Sequence, residues 1–474
     1  MKGDAHKSIL WSGIQQFVVF GIQFAVGIVL ARLLNPYDFG VIAMQGVFFA
    51  ISNAFIDCGL EGALIQKKEC TRADENSAFI FSASISVALY LLLFFGASVI
   101  EEFYHTPNLG KVLRVSALVL MINAVGIVPR SLLQRQLRFK ELAMASTSIS
   151  LFSGVIAMFM AYNGYAYWAL VGQTLLAAAL MNMAYYAYSR WWPSFQFSTE
   201  SFRQLFSFGL PMMFTSLVHA VYNNLYSLVI GKRFNAWQLG LYNRAENYSG
   251  YVSYNLSDMS MRALYPILSR AQDDLARLKE GTLRILHASA FFVIPINVFL
   301  MVKADDIVIV TLTEKWMSMA PLMQILCIAR MAYVVSNLHF NLFKAIGRTQ
   351  ILFICELINK IIGILVLLIT FQYGLMIMVW GLLVYAVLSI LASSWFVWYF
   401  IGITLQDQGR QVYMVIVNAL MSIFSCFLIG EFFDNIYLRL GLSVVAYFSI
   451  YGILAWLEKD KAIDFLKGYF KKES

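Results

Sequence analysis

Apolar stretches long enough to cross a bilayer follow one another along almost the whole chain, separated by short polar turns. Fourteen candidate helices result, with approximate limits 9–32, 39–64, 77–100, 112–133, 143–162, 165–188, 205–230, 238–266, 283–302, 318–343, 350–371, 374–400, 411–430 and 436–457. In lipid such segments satisfy their own backbone hydrogen bonds only as helices or closed barrels, and runs of this length predict an all-α polytopic membrane protein. The longest turns, about 189–204 and 266–282, are too short to be domains. Composition agrees: of 474 residues 60% are hydrophobic and 13% charged, against about 25% charged in soluble domains. Ile9 to Leu34 follows Lys2 and Lys7 but is long enough to span, and no small-residue cleavage site follows it, so it reads as a first span and not as a signal peptide. The five cysteines show no CxxC spacing and read as single thiols, neither metal ligands nor disulfides. The net charge of +8 is a topology signal; no segment is long enough to be a nucleic-acid-binding domain.

The two halves echo each other 200 residues apart. Leu30-Ala31-Arg32-Leu33-Leu34-Asn35-Pro36-Tyr37-Asp38-Phe39-Gly40 aligns with Ile230-Gly231-Lys232-Arg233-Phe234-Asn235-Ala236-Trp237-Gln238-Leu239-Gly240, and Ala63-Leu64 with Ala263-Leu264, without a gap. The 35 Lys and Arg residues fall roughly three to one on the side of the termini, Arg130 counted there, which places both termini in the cytoplasm and requires an even number of spans. Six spans separate the first helix from its echo, so the repeats run parallel. The expected organisation is an N-terminal lobe (1–188, six helices), a cytoplasmic linker (189–204) with Trp191, Trp192 and Pro193, a C-terminal lobe (205–400), and two further helices with a basic tail (401–474).

Polar residues recur at helical spacing inside the spans. In the eighth, Arg244, Tyr248, Tyr251, Asn255, Asp258 and Arg262 fall within about 40° of a common line, with Glu246 on the opposite face. A central Arg costs about 2.5–3.5 kcal/mol on insertion scales, so this stripe should face a wet cavity; the alternative is an amphipathic helix on the surface. The seventh span aligns Ser216, His219, Tyr222, Asn223 and Tyr226; the tenth Arg330, Tyr333, Asn337, Asn341 and Lys344; the eleventh Glu356, Asn359 and Lys360; the first Ser12, Gln16 and Gln23; and Asp57 sits in the second. Each stripe alone can be glue between helices, Glu356 and Lys360 can neutralise each other, and His219 can be an interior histidine or a proton carrier. Together, amides and aromatics suit sugar, and fixed cations suit phosphate. Arg244, Arg330 and Lys360 all lie in the second half, which predicts an anion site there. No GxxxxGK[ST] loop, HExxH or GxSxG motif is present, and no enzymatic activity or cofactor is expected.

Trp11 with Gln15-Gln16, the Leu30–Gly40 segment, Asp57-Cys58-Gly59 with Ala63-Leu64-Ile65-Gln66, Leu132 to Lys140, Gly240 to Ala245, Tyr265 to Asp274 and Ala345-Ile346-Gly347-Arg348 together resemble bacterial polysaccharide exporters of the Wzx type, in the colanic-acid/teichuronic-acid branch of the multidrug/oligosaccharidyl-lipid/polysaccharide (MOP) exporter superfamily. The resemblance runs over about 1–400. It implies two six-helix lobes around a central cavity, alternating access, and a polyprenyl-pyrophosphate-linked oligosaccharide carried across the bacterial inner membrane, with a polysaccharide polymerase and a chain-length regulator as candidate partners. Arg244 best matches the family's cationic cavity residues; Arg330 and Lys360 join it from helical phase. Gln16, Gln23, His219, Asn223, Tyr251, Asn255, Asn337 and Asn341 are candidate glycan contacts, and Asp57, Asp258 and Glu356 candidates for ion coupling. The competing readings are a small-molecule (multidrug) antiporter of the same fold and, less favoured, a membrane glycan polymerase or ligase.

Overall fold

A computed structural model describes residues 21–270, 274–458 and 460. The described chain is helical throughout: α1 (Gly21–Leu33), α2 (Pro36–Met44), α3 (Gly46–Asp57), α4 (Leu60–Gln66), α5 (Arg72–Tyr104), α6 (Leu109–Ser116), α7 (Leu118–Arg135), α8 (Phe139–Tyr162), α9 (Tyr167–Ser189), α10 (Thr199–Arg233), α11 (Ala236–Arg270), α12 (Leu275–Val302), α13 (Ala304–Leu312), α14 (Ala320–Ala345), α15 (Thr349–Thr370), α16 (Leu375–Ile401), α17 (Leu405–Phe432) and α18 (Ile436–Leu457). Among the described residues twelve helical stretches are long and apolar enough to cross a membrane. They coincide with twelve of the fourteen expected spans. Of the first expected span only α1 is described. The eighth, α11, is 35 residues long and continuous, but its polar stripe keeps it out of the apolar set.

Capping explains several boundaries. Thr71 and Asp74 form a reciprocal box at the start of α5, with the Thr71 N–H donating to Asp74 Oδ2 at 2.9 Å and the Asp74 N–H to Thr71 Oγ1 at 3.3 Å. Thr404 and Asp407 repeat the device at α17. Between α3 and α4, Cys58 and Gly59 take left-handed backbone angles, φ 44° and 67°, which stops one helix and starts the next. The Asp57 carboxylate covers the exposed start of α4, accepting the Glu61 N–H at 3.1 Å.

The helices form two compact units, one ending at Gly240 and one beginning at Leu241. In the first, α10 packs along α3 and also touches α2, α4 and α5. The segment before α10 is sewn to the start of α5: Trp191 Nε1 donates to Glu75 Oε2 at 2.7 Å, the Ser194 N–H to Asn76 Oδ1 at 2.9 Å and the Ser198 N–H to Ser77 Oγ at 2.9 Å. Of the expected linker, residues 191–198 are therefore tied to α5, and α10 begins at Thr199, several residues before the expected 205. In the second unit α12 and α14 are central, with a buried core that includes Leu286, Val293, Leu338, Phe343 and Val397. The α17–α18 hairpin is pinned to α12 by Tyr451, whose hydroxyl donates to the Phe291 carbonyl at 2.9 Å. Asp306 at the start of α13 pairs with Lys303 and with Arg439 of α18.

The repeated Asn-x-x-x-x-Gly segments meet. A Cβ on Gly40 would stand 1.7 Å from the Ala236 carbonyl oxygen, and one on Gly240 would stand 1.9 Å from that of Pro36. The two glycines that match 200 residues apart thus let two backbones cross in reciprocal fashion, with no room for any side chain. Gly40→Val and Gly240→Val are each expected to lower the yield of monodisperse protein in detergent and its melting temperature, whereas Gly409→Val, where nothing lies within 4 Å of the added Cβ, leaves both nearly unchanged; fluorescence-detected gel filtration after a temperature ramp checks this.

Candidate functional site

Ionised groups sit within the helices of both units. In the first unit a cavity of about 670 Å³ is bounded by α3, α4, α7, α9 and α10, and its walls carry Asn53, Asp57, Glu61, Asn123, Arg130 and Asn182. Arg130 lies near the end of α7, one residue after Pro129, and its Nη2 meets Glu61 Oε1 of α4 at 2.9 Å. Asn182 of α9 is 7% exposed. Its Nδ2 donates back to the Ala178 carbonyl at 2.8 Å. Its Oδ1 accepts no hydrogen bond and lies against Gly126, where a Cβ would come within 1.9 Å of it. The missing side chain at Gly126 is what lets this amide fit.

In the second unit the polar cluster joins α11 to α14. Arg330 Nη2 donates to Glu246 Oε1 at 2.7 Å, its guanidinium carbon stands 4.9 Å from the Tyr254 ring centre, and Tyr254 meets the edge of Tyr333 at 4.8 Å. Both charges lie ten residues into their helices, about 15 Å along each axis. Glu246, which faces away from the stripe of the eighth span, is therefore the counter-ion of Arg330. It lies about 160° round α11 from Arg244. Arg330 thus meets a different side of α11 from the one that carries Arg244, Tyr248, Tyr251 and Asn255.

The remaining expected residues are placed as follows. Arg244 is half-buried and close enough to Tyr248 to interact electrostatically. Tyr251 and Asn255 are joined by a bond from Asn255 Nδ2 to the Tyr251 carbonyl at 2.6 Å, and Asn337 and Asn341 by one from Asn341 Nδ2 to Asn337 Oδ1 at 3.0 Å. Lys360 Nζ is 3.9 Å from Glu356 Oε2, a loose pair that partly neutralises both. His219 is half-buried, while Asn223 and Gln23 are exposed. Gln16 and the side chain of Asp258 lie outside the described residues. Among the described residues no group of three His, Cys, Asp or Glu is placed to hold a metal ion. The residues that reasoning along single helices missed are Glu61, Arg130, Asn123, Asn182 and Tyr254, along with the role of Glu246.

The backbone resembles that of the lipid II flippase MurJ in an inward closed conformation, with a TM-score of 0.76 at 15% identity, covering 94% of this chain and 99% of that one. This likeness and the twelve apolar helical stretches define a multi-pass, all-helical membrane protein of the MurJ fold. The chain belongs to the polysaccharide biosynthesis protein family, whose profile matches residues 29–321. It is 26% identical over 450 residues to the teichuronic acid biosynthesis protein TuaB of Bacillus subtilis (strain 168), with 92% of each chain covered. It is 25% identical over 350 residues to the lipopolysaccharide biosynthesis protein WzxC of Escherichia coli (strain K12), covering 72% of this chain and 70% of that one.

Removing one member of a partly buried ion pair strands the other, whereas removing both does not. Arg330→Ala and Glu246→Ala are each expected to destabilise the purified protein, and the double variant by less than the sum, with a coupling energy of about 1–3 kcal/mol. Denaturant titrations of the four proteins in one detergent measure it; additive losses would mean that the two side chains do not act as a pair.

Proposed function

We propose that the protein is a flippase that moves polyprenyl-pyrophosphate-linked oligosaccharide repeat units across the bacterial inner membrane by alternating access, for surface polysaccharide assembly. The observation that carries this reading is the polar cavity of about 670 Å³ set among apolar membrane-spanning helices. A wall of amides, carboxylates and a guanidinium is costly in lipid and suits a hydrated, hydroxyl-rich and phosphate-bearing headgroup. Family membership and the biosynthetic names of the relatives support it further.

In this reading the chain crosses the membrane fourteen times with both termini in the cytoplasm, and the polar α11 is the eighth span. Lobes 1–188 and 205–400 follow the sequence repeat, the residues from 401 on add two helices and a basic tail, and the prenyl tail stays in the bilayer. Arg244, with Arg330 and Lys360, holds the pyrophosphate. The amides and tyrosines of the first, seventh, eighth and tenth spans hold sugar loosely enough to release it. Asp57, Asp258 and Glu356 are the carboxylates for ion coupling, Asp57 doing so beside its role at the start of α4. The chain performs no enzymatic step; a polymerase and a chain-length regulator take the product on the far side.

One observation favours a second reading, the small-molecule antiporter. The first-unit cavity carries two carboxylates, Asp57 and Glu61, against one Arg, a balance that suits an organic cation. Drug susceptibility separates the two: a deletion strain of a flippase keeps its resistance and loses surface polysaccharide, and that of a multidrug exporter does the reverse. In the complemented strain Arg244→Ala is expected to abolish surface polysaccharide, measured as cell-surface uronic acid or hexose, with the membrane level of the protein unchanged. Unaltered polysaccharide would remove Arg244 from the transport path.

A further inference from the structure

The Arg130–Glu61 pair differs from the Arg330–Glu246 pair in its surroundings. Arg330 is packed on an aromatic ring with 18% of its side chain exposed, while Arg130 borders an open cavity with 46% of its side chain exposed. An ion pair this open to water is held weakly, and its arginine stays available to a better anion. A diphosphate is one, because it offers a guanidinium two parallel oxygen acceptors and more charge than a carboxylate. Glu61 is the less exposed partner, at 21% of its side chain. If Arg130 leaves, the Glu61 carboxylate keeps Gln134 and its neighbour Asp57, and loses the one cation that faces it among the described residues. A proton then removes the uncompensated charge. The groups that face Glu61 are Asp57 of α3, Arg130 and Gln134 of α7, and Tyr185 of α9; α10 contributes the neutral Ser216 to the same wall.

We propose that the first-unit cavity binds the glycosyl diphosphate part of the lipid-linked substrate through an exchange: Arg130 releases Glu61 and takes a diphosphate oxygen, and the freed Glu61 carboxylate takes up one proton from the cavity water. The N–H···O contact to Glu61 breaks, one to phosphate forms, and the proton adds to a Glu61 oxygen, so that anion and proton bind together and leave together. Each step alone strands a charge and the two together do not, which makes the coupling reciprocal. This rests on the flippase reading and adds to it a carboxylate, Glu61, and a cation, Arg130, in the half of the molecule opposite to Arg244.

The test is isothermal titration of the full-length protein in detergent with geranyl diphosphate, in two buffers of different ionisation enthalpy, which counts protons taken up per ligand bound. Glu61→Gln keeps the shape and removes the competing charge. It is expected to bind about tenfold more tightly than wild type near neutral pH and to lose the proton uptake; the difference between the two proteins cancels the titration of the diphosphate itself. Inorganic pyrophosphate has to show the same gain, which separates recognition of diphosphate from partition of the prenyl tail into the micelle. Arg130→Gln is expected to abolish the gain in the Glu61→Gln background. If Glu61→Gln does not fold, ligand-induced infrared difference spectra of wild type decide the matter, since a new protonated-carboxyl band is required. Binding by wild type with equal or weaker binding by Glu61→Gln, or with no new band, overturns the exchange and leaves the flippase reading standing. A wild type that binds neither probe overturns both.

Discussion

A charge set inside a membrane-spanning helix constrains everything packed against it, because lipid offers no water to hold it. Two arginines in this protein meet that constraint by reaching across to a glutamate on another helix, Arg130 to Glu61 and Arg330 to Glu246. Each pair joins two helices, the packed Arg330 pair firmly and the more exposed Arg130 pair weakly. For Arg330 the pair joins α14 to α11, the one long helix among those described that is too polar to hold its place by hydropathy alone. The same bond that tolerates the charge therefore helps to keep α11 within its unit. For Arg130 it joins α7 to α4, the short helix that follows the left-handed break at Cys58 and Gly59. There the break aims Asp57 and Glu61, one turn apart, at a single cavity.

The two pairs show that charge alone does not define a ligand site. Arg330 stacks on Tyr254, itself braced by Tyr333, and its replacement costs packing as well as charge. Arg130 has open space on one side and amides around it. Aromatic packing turns one arginine into a clamp between helices, and an adjoining cavity leaves the other free to exchange partners. Lys360 falls between these cases, with a partner one turn away at a distance that only loosely neutralises it.

Much of this was legible in the sequence because hydropathy and helix geometry are local. The span limits follow from apolar runs, which end short of the caps: α2, α5 and α17 begin at Pro36, Arg72 and Leu405, before the expected 39, 77 and 411. The 200-residue echo singled out Gly40 and Gly240, but nothing local could show that each faces the backbone near the other. Helical phase also grouped Tyr251 with Asn255 and Asn337 with Asn341, which do bond to each other. The pairs between helices were out of reach, since Glu61 and Arg130, or Glu246 and Arg330, share no helix. Phase on one helix says which residues share a face and nothing of what another helix brings to the opposite one, where Glu246 stands. Arg130 reads as part of a cytoplasmic turn because it stands near the end of its span, although Pro129 beside it and the carboxylates at 57 and 61 are signals of a polar site.

The crossing of Gly40 and Gly240 shows how the repeated segments are locked at one point. Two backbones that touch without intervening side chains gain close dispersion contacts, and a Cβ on either glycine would collide with a carbonyl of the other segment. Side chains close over the crossing: Gly231 lies against Tyr104, Leu239 and Met44, all three of them buried. The polar links Trp191 to Glu75 and Ser194 to Asn76 hold the segment before α10 to α5. Within the first unit α10 is thus held at its start by hydrogen bonds and near its end by close packing at Gly231, so that its position is set from both ends by different means.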